Sequence, residues 1–190
     1  GIHSTRKEIQ SIMNEKVKER KENRLKGLVD KYVLLLTSEV PLELISCEQV
    51  RELYDEIVLP EIKESEGYAP DGGIFRKEGV DVLSKSGKVI HSGSFPEDKV
   101  VSDMKKALDI LNSDDEHVEP LINIAVFHYL FGYIHPFYDG NGRMTRFISS
   151  SFLARHLGKI VGLGLSYTIK ENISNYYDIF KTTNDPRNRG

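Results

Sequence analysis

The fold of this chain is decided by residues 135–146, which read His135-Pro136-Phe137-Tyr138-Asp139-Gly140-Asn141-Gly142-Arg143-Met144-Thr145-Arg146. Apolar side chains recur at helical spacing on both sides of this stretch. The upstream positions are Leu121, Ile124, Ala125, His128 and Phe131, and the downstream positions are Phe147, Ile148, Phe152, Leu153 and Leu157. Pro136 cannot continue a helix, so the chain must turn there. The pattern predicts a helix, a loop and a second helix that ends at Gly158.

The backbone of the predicted loop suits a phosphate-rich ligand. Asn141 can cap the second helix, which would leave the N–H groups of Gly142, Arg143 and Met144 free at its positive end. Gly140 and Gly142 let the backbone approach a bulky anion without a clash from Cβ. The sequence therefore predicts an anion cradle at the start of the second helix.

Four side chains add chemistry to this cradle. His135 can carry a proton near neutral pH, Asp139 offers the hard oxygen ligand that Mg²⁺ prefers, and Arg143 and Arg146 share one helical face. Simpler interpretations exist, because a histidine beside an apolar helix often packs in the core, and Asp139 with Arg143 could form an ordinary ion pair. A metal pair of His135 and Asp139 is disfavoured, since the proline and glycine beside them break the helix that it needs. The combination favours chemistry on a nucleoside triphosphate.

The stretch resembles the signature of the Fic family: His, any residue, Phe, any residue, Asp or Glu, then Gly-Asn-Gly-Arg, two free positions and Arg. The specified positions are filled by His135, Phe137, Asp139, Gly140, Asn141, Gly142, Arg143 and Arg146. A looser resemblance covers residues 70–180, and the N-terminal part resembles longer Fic proteins. The resemblance implies an all-α Fic fold, a helical bundle around the central helix–loop–helix with a small β-hairpin flap. It also implies transfer of AMP from ATP to a Tyr, Thr or Ser hydroxyl of a target protein.

The same resemblance implies a role for each site residue. His135 would be the general base for the target hydroxyl, Asp139 would hold Mg²⁺ against the phosphates, and Phe137 would be a packed anchor. The other roles concern ATP: Gly140, Asn141 and Gly142 at the α-phosphate, Arg143 and Arg146 at the β- and γ-phosphates, and Tyr177 or, as second choice, Tyr176 against the adenine.

Other functions fit parts of the pattern. A Doc-type kinase would have Lys at the second glycine, where this chain has Gly142. The signature alone does not separate adenylylation from transfer of phosphocholine or another nucleotide-derived group, from removal of AMP by a longer chain, or from non-catalytic nucleotide binding. A Walker-type NTPase is disfavoured because no Gly-Lys-Ser/Thr follows the glycines, and a Rossmann site because position 145 is not glycine.

The composition is that of a soluble globular protein. Of its 190 residues, 39% are hydrophobic and 29% are charged, and the net charge of −3 provides no basic field for nucleic acid. No apolar run approaches the roughly 18 residues of a membrane span. The single cysteine, Cys47, excludes an internal disulfide and fits a reducing compartment, so we expect a cytoplasmic protein with a structural thiol. The expected partners are ATP and a target protein, without nucleic acid or membrane, and a homodimer is left open.

The region before the signature is predicted to be mostly helical. Residues 1–66 should form a helical arm on the core, and residues 67–190 the catalytic domain, with its C-terminal part truncated. Residues 4–37 have a helical pattern, and Ser46 with Gln49 forms a capping box for a short helix that ends near Pro60. Residues 61–79 are expected to be loop, with a turn at 70–73. Alternating apolar residues predict a hairpin over residues 80–91, where His91 should be a surface histidine.

Further elements follow from proline and apolar spacing. Pro96 should open a helix through Leu111, and Pro120 the helix before the signature, in which His128 should pack or hydrogen-bond in the core. Residues 160–165 are expected to be a buried connection or a short helix. The final helix should carry Ile173, Tyr176, Tyr177 and Phe180. In Fic proteins a similar hairpin holds the target by strand pairing, so we expect the target to dock near residues 80–91.

The resemblance also bears on regulation. In related Fic proteins an inhibitory helix, with the pattern Ser or Thr, three residues, Glu, then Gly or Asn, precedes a run similar to residues 1–6. Its glutamate pairs with the arginine equivalent to Arg146. Gly1 matches the last position of that pattern, and no segment inside the chain completes it. We therefore expect that both chain ends are trimmed, that Arg146 is free for ATP, and that a longer parent chain is less active.

Overall fold

The computed structural model describes residues 26–64, 69–83 and 87–188. In these ranges the chain forms eight α-helices and one two-stranded antiparallel sheet. The elements are α1 Lys26–Thr37, α2 Cys47–Ile57, α3 Leu59–Glu64, β1 Asp81–Leu83, β2 Val89–Ser92, α4 Glu97–Leu111, α5 Pro120–Ile134, α6 Asn141–Leu157, α7 Lys159–Glu171 and α8 Ile173–Asn184, followed by a 3₁₀ turn at Pro186–Asn188. The predicted all-α fold with a small hairpin is confirmed. None of the described helices is long and apolar enough to cross a bilayer.

The centre of the fold is the helical hairpin of α5 and α6. Helix α5 packs against α4 and α6, and α6 packs against α7. One continuous core joins this hairpin to α2 and α4, and its largest fully buried apolar side chains include Tyr54, Phe75, Phe127, Phe131, Phe137 and Phe152. Because burying one such side chain contributes about 1.5–3 kcal/mol, these rings fix how the helices stack around the loop that joins α5 to α6.

Helix α2 begins as the sequence predicts. The Ser46 hydroxyl accepts a hydrogen bond from the Gln49 backbone N–H at 3.3 Å, and the Gln49 side chain accepts one from the Ser46 N–H at 3.1 Å. Cys47, the first residue of the helix, is fully buried, and burial raises its pKa to about 11. The predicted structural role of this thiol is confirmed, since a buried thiol that stays protonated is a poor nucleophile.

Two local predictions are wrong in part, and one of two alternatives is decided. Residues 61–64, expected to be loop, belong to α3, because Pro60 near a helix start lacks only an N–H that would be unpaired there. Residues 160–165, expected to be either a buried connection or a further short helix, are helical, as the second alternative states, and lie in the 13-residue α7, where Ile160 is 86% exposed. On α5 the buried face includes Phe127 and Ile134, whereas Leu121 and Ala125, placed in the apolar stripe, are exposed. The helical pattern of residues 4–25 and the inhibitory-helix comparison at the N-terminus lie outside the described residues.

The predicted hairpin is present and leans on α5. Asp81 pairs with Ser92 and Val82 with His91, while the turn at residues 84–86 lies outside the described part of the chain. His91 is half-buried: its Nε2 lies 2.5 Å from the Tyr133 carbonyl oxygen, and the two rings are 4.3 Å apart. The expectation of a surface histidine is therefore wrong, because a short hairpin needs such an anchor to the helical body.

Candidate active site

Helix α5 ends at His135 in an uncommon backbone conformation. Its φ of 53° and ψ of 61° are left-handed, and its N–H still donates to the Phe131 carbonyl at 3.0 Å. This conformation costs a residue with a Cβ about 1–2 kcal/mol. Pro136 follows at once and is buried. The left-handed residue and the proline after it end α5 and reverse the chain.

Arg76 fixes this reversal, and the sequence analysis missed it. The guanidinium is fully buried and donates to the carbonyls of His135 (3.0 Å), Ser94 (2.7 Å) and Glu78 (2.5 Å). It therefore ties the end of α5 to the segments before and after the hairpin. Burial lowers the pKa of Arg76. No local pattern could have revealed this role, because its partners are carbonyls that come together only in the folded chain.

The imidazole of His135 is held in one orientation. Its Nδ1 lies 3.3 Å from the Gly132 carbonyl oxygen, and burial lowers the pKa of the ring below its usual value. A carbonyl can only accept, so Nδ1 carries the proton in the neutral ring and Nε2 carries a lone pair. Among the described residues Nε2 has no hydrogen-bond partner. The geometry suits a general base that acts through Nε2.

Phe137 is the buried anchor that was expected. Its ring stacks on Tyr54 with centroids 3.7 Å apart and meets the edge of Phe75 at 5.4 Å. The Asn141 side chain braces the same residue, accepting from the Phe137 N–H at 3.0 Å and donating to its carbonyl at 2.7 Å. The predicted capping role of Asn141 is therefore wrong: Gly140 is the N-cap, and Asn141 is the first residue of α6.

The anion cradle is smaller than predicted. The N–H groups of Arg143 and Met144 both donate to the Gly140 carbonyl at 3.0 Å, so neither is free. Within the described residues the N–H groups of Asn141 and Gly142 form no hydrogen bond. Gly140 has a φ of 80°, and a Cβ there would lie 2.4 Å from Cγ1 of Val58. The loop thus approaches the helical body too closely for any other residue.

Arg143 lies between two carboxylates. Its Nη1 bonds to Glu61, which the sequence analysis placed in a loop and did not consider, and its Nη2 lies 3.3 Å from Asp139. The simple ion pair of Asp139 and Arg143 is therefore observed. Among the described residues no group of three His, Cys, Asp or Glu side chains could hold a metal ion, so an ion bound at Asp139 would have at most two such protein ligands.

Arg146 lies beside Gly142, one turn further along α6. A Cβ on Gly142 would lie 3.0 Å from its Nη1, and Arg146 forms no salt bridge with any residue that the structure describes.

His128 lies on α5, two turns before His135. It bonds through Nε2 to the Tyr176 hydroxyl (2.8 Å) and through Nδ1 to Ser149 (2.9 Å). Burial, with a smaller contribution from the charge of Arg146, lowers the pKa of His128 to about 4. The predicted core role of His128 is confirmed.

The two candidate adenine-stacking residues differ in environment. Tyr176 is half-buried, hydrogen-bonded to His128, and lines an apolar cleft of about 650 Å³ between the last four helices. Tyr177 is 64% exposed and meets Tyr176 edge to face at 5.4 Å. The exposed ring of Tyr177 is thus the one with a face available to a base, while Tyr176 is fixed by its hydroxyl.

Comparison with known proteins identifies the family to which the chain belongs. Residues 44–153 match the model of the Fic/DOC family, which is more than half of the chain. The chain belongs to this family. Curated relatives named "Protein adenylyltransferase Fic" from Drosophila willistoni and Drosophila mojavensis are each 30% identical over 164 residues, covering 83% of this chain and 30% of the relative. The chain thus spans less than a third of the length of these relatives.

Solved structures of the family share the fold. A Fic family protein from Desulfovibrio desulfuricans G20 superposes with a TM-score of 0.69 at 23% identity, covering 95% of this chain and 52% of that one. A Fic domain containing signaling protein from Bacteroides thetaiotaomicron superposes with a TM-score of 0.57 at 23% identity, covering 81% and 57%. At this identity the likeness establishes the architecture alone.

Proposed function

We propose that this chain is the catalytic part of a protein adenylyltransferase that moves AMP from ATP to a Tyr, Thr or Ser hydroxyl of a target protein. The observation that carries the proposal is the largely buried His135 imidazole, whose Nε2 has no hydrogen-bond partner among the described residues, in the same signature stretch as the unpaired N–H groups of Asn141 and Gly142 and the two arginines. The target oxygen would form a bond to the α-phosphorus while the bond to the bridging oxygen of the β-phosphate breaks. The hydroxyl proton goes to Nε2 of His135, and pyrophosphate leaves.

The phosphates would be held by backbone and arginine groups. The N–H groups of Asn141 and Gly142 point from the positive end of α6 and suit the α-phosphate. Arg143 and Arg146 flank the cradle and suit the β- and γ-phosphates, where a guanidinium fork matches two oxygens. Asp139 is exposed, so it can turn from Arg143 to Mg²⁺, a cation that typically keeps only one or two carboxylate ligands beside phosphate oxygens.

Adenine and the target protein would bind at different parts of the site, adenine at α8 and the target at the β-hairpin. The exposed ring of Tyr177 supplies a stacking surface for adenine, with Tyr176 behind it. The hairpin strands expose Leu83, Val89 and Ile90, and a strand edge with exposed apolar side chains can pair with an extended target segment. Arg76 links this β-hairpin to His135. A target bound at the hairpin would therefore be held at a fixed position relative to the general base His135.

The test is His135→Ala, with His117→Ala as a matched control because His117 is exposed and far along the chain from the loop. Incubation of lysate with isotope-labelled ATP should label target proteins with the parent and the control, and His135→Ala should abolish labelling. Its calorimetric affinity for ATP should stay within about twofold, because the histidine acts on the hydroxyl. Retained transfer would refute the assigned base, and label from CDP-choline alone would indicate phosphocholine transfer.

A further inference from the structure

The two carboxylates that contact Arg143 differ in burial. The Glu61 side chain is 4% exposed and that of Asp139 is 58% exposed, while the arginine itself is 15% exposed. Exposed ion pairs exchange readily because water screens them, whereas a buried charge that loses its partner is left uncompensated. The contact with Glu61 is therefore the fixed one, and the contact with Asp139 is exchangeable.

Glu61 is also fixed by its backbone. Its N–H donates to the Val58 carbonyl at 3.1 Å, and Val58 packs against Gly140. The corner between α2 and α3 thus touches the loop at two neighbouring points, with an apolar contact at Gly140 and an ionic contact at Arg143. A residue on this corner can hold a side chain of α6 in place relative to the loop.

The contacts of Glu61 are not those that would best stabilise the folded state. Its second oxygen, Oε1, is buried without a hydrogen-bond partner among the described residues. Leaving a buried carboxylate oxygen unpaired destabilises the folded state, and a well-packed apolar residue at such a position is often neutral or stabilising. The feature that Glu61 does provide is a single strong contact to Arg143.

We propose that Glu61 is a positioning residue, whose buried carboxylate orients the Arg143 guanidinium so that its outer N–H groups face the terminal phosphates of a nucleotide. The inference rests on the proposed function. Asp139 contacts one of these N–H groups, and phosphate would displace it, whereas Glu61 would stay in place. A guanidinium without this rear contact would be free to rotate away from the bidentate geometry that recognises phosphate.

The experiment compares Glu61→Gln, Arg143→Gln and the double variant, with Glu52→Gln as the control, because Glu52 is exposed on α2. Calorimetry would measure the dissociation constants of ATP and AMP with Mg²⁺, and thermal unfolding would report the fold. Glu61→Gln should weaken ATP binding about tenfold, the loss expected from one misaligned charge-assisted hydrogen bond, and should leave AMP binding within about twofold. In the Arg143→Gln background the same change should not alter ATP binding.

The alternatives give distinct results. If Arg143→Gln weakens ATP binding and Glu61→Gln does not, the positioning role is overturned and the proposed function stands. If Arg143→Gln itself leaves ATP binding unchanged, the phosphate assignment of the proposed function fails. Equal loss of ATP and AMP binding, or tighter ATP binding by Glu61→Gln, would also overturn the inference. Should Glu61→Gln not fold, Glu61→Asp keeps the charge with a shorter reach and must show the same ATP-selective loss.

Discussion

Replacement of Gly140 by alanine tests whether the loop is held as closely against the helical body as the structure indicates. Gly140 combines two constraints, a φ of 80° and a Cβ position that lies 2.4 Å from Cγ1 of the fully buried Val58. The first constraint concerns the backbone alone, and the second concerns the space between the loop and α2. The two can therefore be separated by a second substitution at Val58.

The magnitude follows from the two terms. A left-handed conformation costs a residue with a Cβ about 1–2 kcal/mol, and forcing a methyl group into a packed site costs about 1–3 kcal/mol more. The stiffer unfolded chain returns about 0.4–1 kcal/mol. We therefore expect Gly140→Ala to lower the free energy of unfolding by about 1–5 kcal/mol, which is a large fraction of the roughly 5–15 kcal/mol typical of a domain. ATP binding should weaken as well, since the start of α6 must move.

Urea unfolding of five variants would separate the terms: Gly140→Ala, Val58→Ala, their double variant, Gly158→Ala and Gly164→Ala. Gly158 has a φ of 94° with no atom within 4 Å of its Cβ position, so Gly158→Ala should show backbone strain alone, about 1–3 kcal/mol. Gly164, within α7, has neither constraint, so Gly164→Ala should stabilise by about 0.5–1 kcal/mol. In the double variant Val58→Ala/Gly140→Ala the new methyl group occupies the space that the valine side chain leaves. The loss in free energy of unfolding should therefore be at least about 1 kcal/mol smaller in the double variant than the sum of the losses in the two single variants.

Additive effects of the two substitutions would refute the close contact between the loop and α2. An ATP affinity that Gly140→Ala leaves unchanged would have the same meaning, because the start of α6 would then not have moved. The double variant matters most, because backbone strain remains in it and only the contact with Val58 is relieved.

Two further predictions concern titration and the metal ligand. The pKa of His128 is about 4 in the folded state and near 6.5 in the unfolded chain. Between these pH values the unfolded chain binds more protons than the folded one. His128 therefore gives a stabilising contribution of about 3 kcal/mol that is complete above pH 6.5 and is lost as the pH falls to 4. His128→Gln should therefore show a smaller fall in the free energy of unfolding over this range than the exposed control His156→Gln, and parallel curves would contradict this account. Asp139→Ala should leave the free energy of unfolding within about 1 kcal/mol, because the ion pair that it breaks is exposed. The same change should weaken Mg²⁺-dependent ATP binding, which calorimetry with and without Mg²⁺ would measure. An unchanged Mg²⁺ dependence would place the metal ligand elsewhere.

Features encoded by neighbouring residues could be predicted from the sequence. The capping box at Ser46 and Gln49 lies within one helical turn, and the break at Pro136 follows from the proline ring alone. The helix–loop–helix around the signature and its end at Gly158 belong to the same class. In each case the interaction that decides the structure spans only a few residues, so periodicity and turn chemistry were sufficient.

The errors have equally local causes. Asn141 has the chemistry of a helix cap, but the positive φ of Gly140 lets the chain enter α6 one residue earlier, and the amide then reaches back to Phe137. Pro60 is compatible with both the end and the start of a helix, and only the packing of α3 distinguishes them. The face of α5 was misjudged because almost every side chain on that helix is apolar, so the pattern contains little information about direction.

Arg76 and Glu61 could not have been predicted, because their partners are distant in the chain. Arg76 reaches His135 across 59 residues, and Glu61 reaches Arg143 across 82 residues. Neither residue lies in the signature, and neither belongs to an apolar period. Their contribution exists only once the helices have packed, which is why a motif identifies the reacting groups but not the residues that orient them.

The position of His135 shows what these distant contacts achieve. The loop lies between two left-handed residues, His135 and Gly140, and only the second is a glycine. The strain at His135 persists because Arg76 binds its carbonyl and because Pro136 and Phe137 are buried beside it. The buried arginine therefore stabilises a backbone conformation at His135 that is unfavourable locally.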